Sequence, residues 1–154
     1  MNYVQLLAHF IATGGFLGYS PYAPGTLASL VTVFVLFFLP AMTLHITLLV
    51  GIALVLISAC SANITARVLR SKDPSCIVID EVLGMYLACM MLPKIWWFYV
   101  LAFLSFRFFD IVKPYPIYLC ERVAYKNLGI IFDDAVAGLV TLGILIVLLM
   151  SLGF

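Results

Sequence analysis

Five apolar runs, residues 27–39, 44–62, 77–93, 95–112 and 134–152, fill most of this 154-residue chain, and prolines, glycines or charges bound each one. With 66% hydrophobic residues and a mean hydropathy of +1.22, the chain carries more apolar surface than a soluble domain of its size can hide. The bilayer is its natural solvent. The expected fold is therefore all-α, an integral membrane helical bundle of about five spanning helices, organised as one domain over residues 1–154. Residues 2–13 form a short apolar segment with too few residues to span, suited to the interface. The first run is also short, about 20 Å long as a helix, and Pro40 halts or kinks it. Trp96 and Trp97 suit a headgroup belt, and Pro114 and Pro116 stop the fourth run.

Other features exclude more than they assign. A net charge of +1 gives no reason to expect nucleic acid. Cys60, Cys76, Cys89 and Cys120 show no metal or redox spacing and read as small buried hydrophobes. The N-terminus lacks a basic stretch and a small-residue cleavage site, so it is expected to stay attached. Residues 14–25 are too rich in glycine and proline for a regular helix. No pattern specifies an oligomeric state.

Apart from Arg67, Arg70 and Lys94, charge is confined to short blocks beside the apolar runs. Lys72 and Asp73 lead to Asp80 and Glu81; then come Arg107, Asp110 and Lys113; then Glu121, Arg122 and Lys126; then Asp133 and Asp134. In a chain only 10% charged, solubility does not explain this placement. If the loop holding Arg67, Arg70 and Lys72 is cytoplasmic, seven of the eight Lys and Arg residues lie inside and only Lys94 lies outside. That is the bias membrane proteins show. The same alternation brings Pro24-Gly25-Thr26, Asp80-Glu81, Arg107 to Lys113 and Asp133-Asp134 to one boundary.

An ionised acid near hydrocarbon costs on the order of 2.5–3.5 kcal/mol and needs partners. Interhelical pairing with Arg107, Lys113 and Arg122 is the plain structural account, but adjacent acids at two helix starts exceed what those cations require. Oxygen ligands from several helices favour Mg²⁺, which keeps waters and prefers a substrate phosphate in its shell. Arg107, Asp110 and Lys113 follow one another at i+3 spacing, a row that can grip a phosphate. Thr26 as a helix cap, with Ser29 three residues on, could turn free N–H groups and two hydroxyls toward an anion. Gly84 and Gly138 each follow an acid by four residues and permit close helix approach. His9 and His45 have no acidic neighbours and read as interfacial or satisfied side chains.

Four blocks together, SPYAPGTLASL (residues 20–30), IVIDEVLGM (77–85), FRFFDIVKPYPI (106–117) and GIIFDDAVAG (129–138), resemble the phosphatidylglycerophosphatase A family in order and separation. The resemblance implies an all-helical enzyme of the bacterial inner membrane. Such an enzyme hydrolyses the terminal phosphomonoester of the lipid phosphatidylglycerophosphate with Mg²⁺, its active site at the cytoplasmic face. It suggests Asp80, Glu81, Asp133 and Asp134 as metal and water-activating acids, and Arg107, Asp110 and Lys113 on the phosphate side, with Thr26 and Ser29 nearby. This chain departs from the pattern at Ala28, where glycine is usual, at Glu121, where aspartate is common, and at Lys126-Asn127, where a glycine pair often stands. Every proposed ligand remains. Direct water attack is expected in preference to an aspartyl-phosphate at Asp80 or Asp110. The rival functions are a small ion- or proton-coupled transporter, which needs acids near the midplane, and a phosphatase or phosphotransferase for another lipid phosphate.

Overall fold

A computed structural model describes residues 1–71, 74–114 and 129–153, and over these it is helical with no strand. The helices are α1 (Tyr3–Ala12), α2 (Pro24–Phe38), α3 (Leu44–Leu69), α4 (Ile79–Cys89), α5 (Trp96–Val112) and α6 (Gly129–Ser151), with a 3₁₀ turn at Leu17–Tyr19. The Lys72-Asp73 pair, Glu121, Arg122, Lys126 and Asn127, together with Pro116 and Cys120, lie outside the described residues.

Local chemistry fixes most helix ends. Asn2 and Gln5 form a reciprocal capping box at the start of α1. Pro24 opens α2 behind a left-handed Ala23, a position where its missing N–H costs nothing. Thr26 is therefore inside the first turn and is not the cap the sequence suggested. Left-handed Arg70 and Lys113 close α3 and α5, and Pro114 prevents α5 from continuing. At the end of α2, Pro40 has no N–H to give the Leu36 carbonyl, and Lys94 Nζ, which also lies over the Tyr99 ring, donates to it instead.

The bundle is built around α4, which touches α2, α3, α5 and α6 and packs most extensively on α6. Its 11 residues reach only about 16 Å. Two helices, α3 over its whole length and α6 over Ile131–Ser151, are long and apolar enough to cross a membrane. The five apolar helices stand where the runs predicted, but α2, α4 and α5 are shorter than a full hydrocarbon thickness, and five spans are not shown.

Burial on α3 is inverted relative to a soluble protein. Its buried residues are Thr47, Gly51, Ser58, Ser61, Ala62 and Thr65, whereas Leu49, Ile52 and Leu56 are exposed. Small residues inside and large apolar residues outside are the pattern of a helix bathed in lipid, where close backbone approach replaces hydrophobic burial as the source of association. Ala12, Ala28, Ala88, Ala102 and Ala137 continue that small-residue packing, with Phe98 and Phe106 filling the centre.

Candidate active site

Gly84 on α4 and Gly138 on α6 meet backbone to backbone. A Cβ on Gly138 would lie 2.2 Å from the Gly84 carbonyl oxygen, and one on Gly84 would lie 2.7 Å from the Asp134 carbonyl oxygen. No side chain other than hydrogen fits at this crossing. One turn toward the helix starts sit Asp80 and Asp134, so the crossing carries their carboxylates together. The sequence placed Asp133-Asp134 at the start of the last helix, but α6 begins at Gly129, and the pair lies a turn inside.

Carboxylate oxygens of Asp80, Glu81 and Asp134 all lie within 4.8 Å of one another. Asp80 accepts the Glu81 N–H at 3.2 Å, which steadies the first turn of α4. Glu81 reaches the start of α2, where a Cβ on Gly25 would sit 2.0 Å from Glu81 Oε1. The sequence marked residues 24–26 as a helix opening near an anion. It gave no sign that Gly25 makes room for a carboxylate, because that contact joins residues 56 positions apart.

The antiparallel α5 supplies the cations. Arg107 Nη1 donates to Asp110 Oδ2 at 2.5 Å, with both side chains mostly buried. Asp110 in turn lies close enough to Asp134 and Glu81 for their charges to interact. Lys113 Nζ donates to Asp133 Oδ2 at 2.5 Å and is the more accessible cation, its side chain 30% exposed. Asp133 is thus spoken for by Lys113 and stands apart from the three-acid group. Ser29, expected to face an anion, is fully buried and donates to the Gly25 carbonyl of its own helix at 2.8 Å. Thr26 is half-buried on α2 beyond Gly25.

Charge and satisfaction decide what this arrangement can hold. Among the described residues the acids Asp80, Glu81, Asp110, Asp133 and Asp134 gather with the bases Arg107 and Lys113, so carboxylates outnumber cations within the group. A phosphate cannot approach such a set alone, since like charges at this spacing repel strongly in a low-dielectric site. Among the described residues, Glu81 Oε2, Arg107 Nε and Asp133 Oδ1 are moreover buried without a hydrogen-bond partner. Orphaned groups of both signs at one place are the mark of a site that receives a cation together with an anion. The donor set is hard oxygen throughout, which fits a divalent ion of the Mg²⁺ kind. Cys76 lies apart, with its carbonyl packed on Gly18, and among the described residues no thiol joins the group.

Known proteins agree in kind. The family described as phosphatidylglycerophosphatase A matches residues 10–149. The chain is 36% identical to phosphatidylglycerophosphatase A of Escherichia coli, over 89% of this chain and 80% of that one. It is 32% identical to the Haemophilus influenzae protein of the same name, over 85% and 82%. It is also 34% identical to a Bacteroides thetaiotaomicron protein described provisionally as a phosphatidylinositol-3-phosphatase, over 90% and 91%. No solved structure matches the chain.

Proposed function

The chain belongs to the phosphatidylglycerophosphatase A family and is a phosphatase, and from that premise we propose that it removes the terminal phosphate of phosphatidylglycerophosphate, releasing phosphatidylglycerol, with Mg²⁺ as cofactor. The observation that carries the reading is the excess of acid around Asp80, Glu81 and Asp134 beside the unsatisfied Arg107 Nε, a place for a metal next to a place for a phosphate.

In this reading Asp80, Glu81 and Asp134 hold the ion, which when bound polarises a phosphate oxygen. Arg107, held in direction by Asp110, offers its free Nε edge to the phosphoryl oxygens and offsets the charge that builds on them. Lys113, braced by Asp133, adds a second positive charge at the more exposed side. One carboxylate of the cluster orients a water and takes its proton while the water oxygen bonds to phosphorus. The bond from phosphorus to the glycerol oxygen breaks, and that oxygen ends protonated as the alcohol of phosphatidylglycerol. A water nucleophile is favoured because among the described residues no cysteine or histidine joins the acids, although an aspartyl-phosphate at Asp80 or Asp110 has the same overall balance.

We place the protein in the bacterial inner membrane with this end facing the cytoplasm, on the lysine and arginine bias of the loops. The acids lie within the first two turns of α4 and α6, at an edge, which disfavours a transport relay through the midplane.

The test is phosphate release by the detergent-purified protein from phosphatidylglycerophosphate, with phosphatidylinositol 3-phosphate and phosphatidate beside it. Release from the first that requires Mg²⁺, stops with chelator and is lost in Asp80→Asn supports the reading. Release confined to another lipid moves the substrate assignment, and no release from folded protein returns the acids to structural pairing.

A further inference from the structure

Resting on the lipid phosphatase reading, we propose that the apolar groove between α2 and α5 seats an acyl chain of the substrate, continuous with the phosphate site at Arg107 and Thr26. The groove encloses ≈ 760 Å³. Leu30, Phe34 and Phe38 form one wall and Trp96, Val100 and Leu104 the other.

Helical spacing gives the groove a direction. On α2, Thr26, Leu30, Phe34 and Phe38 recur every four residues along one stripe, and on α5, Trp96, Val100, Leu104 and Arg107 do the same at steps of four, four and three. The two helices are antiparallel, so Thr26 and Arg107 stand beyond the same end of the two walls, past Leu30 and Leu104. That end holds the acid cluster. An amphiphile with its phosphate on Arg107 has its hydrocarbon pointed down this channel, and from Leu30 to Phe38 the walls follow a chain for about 12 Å. The polar groups among the lining side chains, the Trp96 N–H and the Tyr99 hydroxyl, stand toward the start of α5, away from Arg107, so the stretch beside the acids is apolar.

The energetic role is alignment. Hydrocarbon gains little on moving from surrounding lipid to a groove of leucine and phenylalanine, because both are equally apolar. A seated chain instead fixes the angle at which the glycerol phosphate meets Arg107 and the acids, and orientation of reacting groups is worth large factors in rate. Chain length should therefore alter kcat/KM, and narrowing the groove should alter it selectively.

The experiment uses the full-length protein in mixed micelles with dipalmitoyl and dihexanoyl phosphatidylglycerophosphate. Leu104→Trp and Leu30→Trp, at positions 56% and 49% exposed, fill the groove from opposite walls without touching the core. Each is expected to lower the dipalmitoyl-to-dihexanoyl ratio of kcat/KM by about fivefold or more. A ratio unmoved in both variants overturns the proposal. Independently, the Asp80→Asn protein is irradiated with phosphatidylglycerophosphate carrying a mid-chain diazirine. Labelling concentrated on Phe34, Val100 and Leu104, and displaced by unlabelled phosphatidylglycerophosphate but not by phosphatidylcholine, supports the seat. Labelling spread evenly over α3 and α6 means bulk lipid only and overturns it. If wild type releases no phosphate from either substrate, the substrate assignment falls, while the labelling map still decides the groove.

Discussion

The carboxylate of Glu81 occupies the space that a side chain on Gly25 would take, with Oε1 2.0 Å from where the Cβ would be. The obstacle is the far end of a flexible side chain, so Gly25→Ala is expected to fold with a stability change of about 1 kcal/mol or less. The site should suffer more. Glu81 must swing away from Asp80 and Asp134, and the Mg²⁺ concentration for half-maximal activity is expected to rise about tenfold or more, read from a metal titration beside a thermal melt.

Gly138→Ala poses the opposite case. Its added carbon meets the backbone of Gly84, which cannot turn aside. Helices α4 and α6 must separate, with an expected loss of about 1–3 kcal/mol and with it the meeting of Asp80 and Asp134. Denaturant titration and phosphate release should fall together, and a variant of unchanged stability would refute the close crossing.

Much of this was legible in the sequence. The apolar runs and their breakers located α2, α4 and α5 within a few residues, but α3 continues seven residues past Ala62 to Leu69, and the charged blocks named the acids and bases that gather. What was not legible depends on distance along the chain. The start of α6 was misread because Asp133 and Asp134 look like a helix opening, whereas packing against α4 draws the helix back to Gly129. Ser29 was misassigned because a hydroxyl near a helix start can serve either a ligand or its own backbone, and burial under neighbouring helices selects the backbone. Nor did spacing divide the acids into a group of three and the paired Asp133, since that division is set by where α5 ends.

Arg107→Lys keeps the charge but loses the planar fork that binds Asp110 while leaving an edge for phosphate. We expect kcat/KM to fall about a hundredfold, some 2–3 kcal/mol of transition-state binding, with the protein still folded. Steady-state kinetics check this, and a fall of only twofold would mean that Arg107 acts as simple countercharge.

Lys113 and Asp133 should behave as a unit. Lys113→Met and Asp133→Asn are each expected to impair activity by leaving a partner without its counter-ion, and the double variant to be less impaired than the product of the two. A coupling of about 1 kcal/mol from the four-way cycle is the measure. Strict additivity would show that the bridge contributes nothing.

At the far end of the bundle, Lys94→Met frees the Leu36 carbonyl that Pro40 cannot satisfy. The site is a helix away, so a loss of about 1 kcal/mol in stability with activity retained is expected, checked by a melt and an assay on one preparation.

Helix α4 is short, carries two acids, and makes its largest contact with α6. A ribosome releases α4 well before α6 exists, and during that interval an 11-residue segment bearing Asp80 and Glu81 has neither the length to settle across a bilayer nor the partner that covers it. Assembly of the three-acid group therefore waits until α6 has been made. A product cut short before α6 cannot bring Asp134 to Asp80, and it leaves the acids of α4 without the helix that covers them.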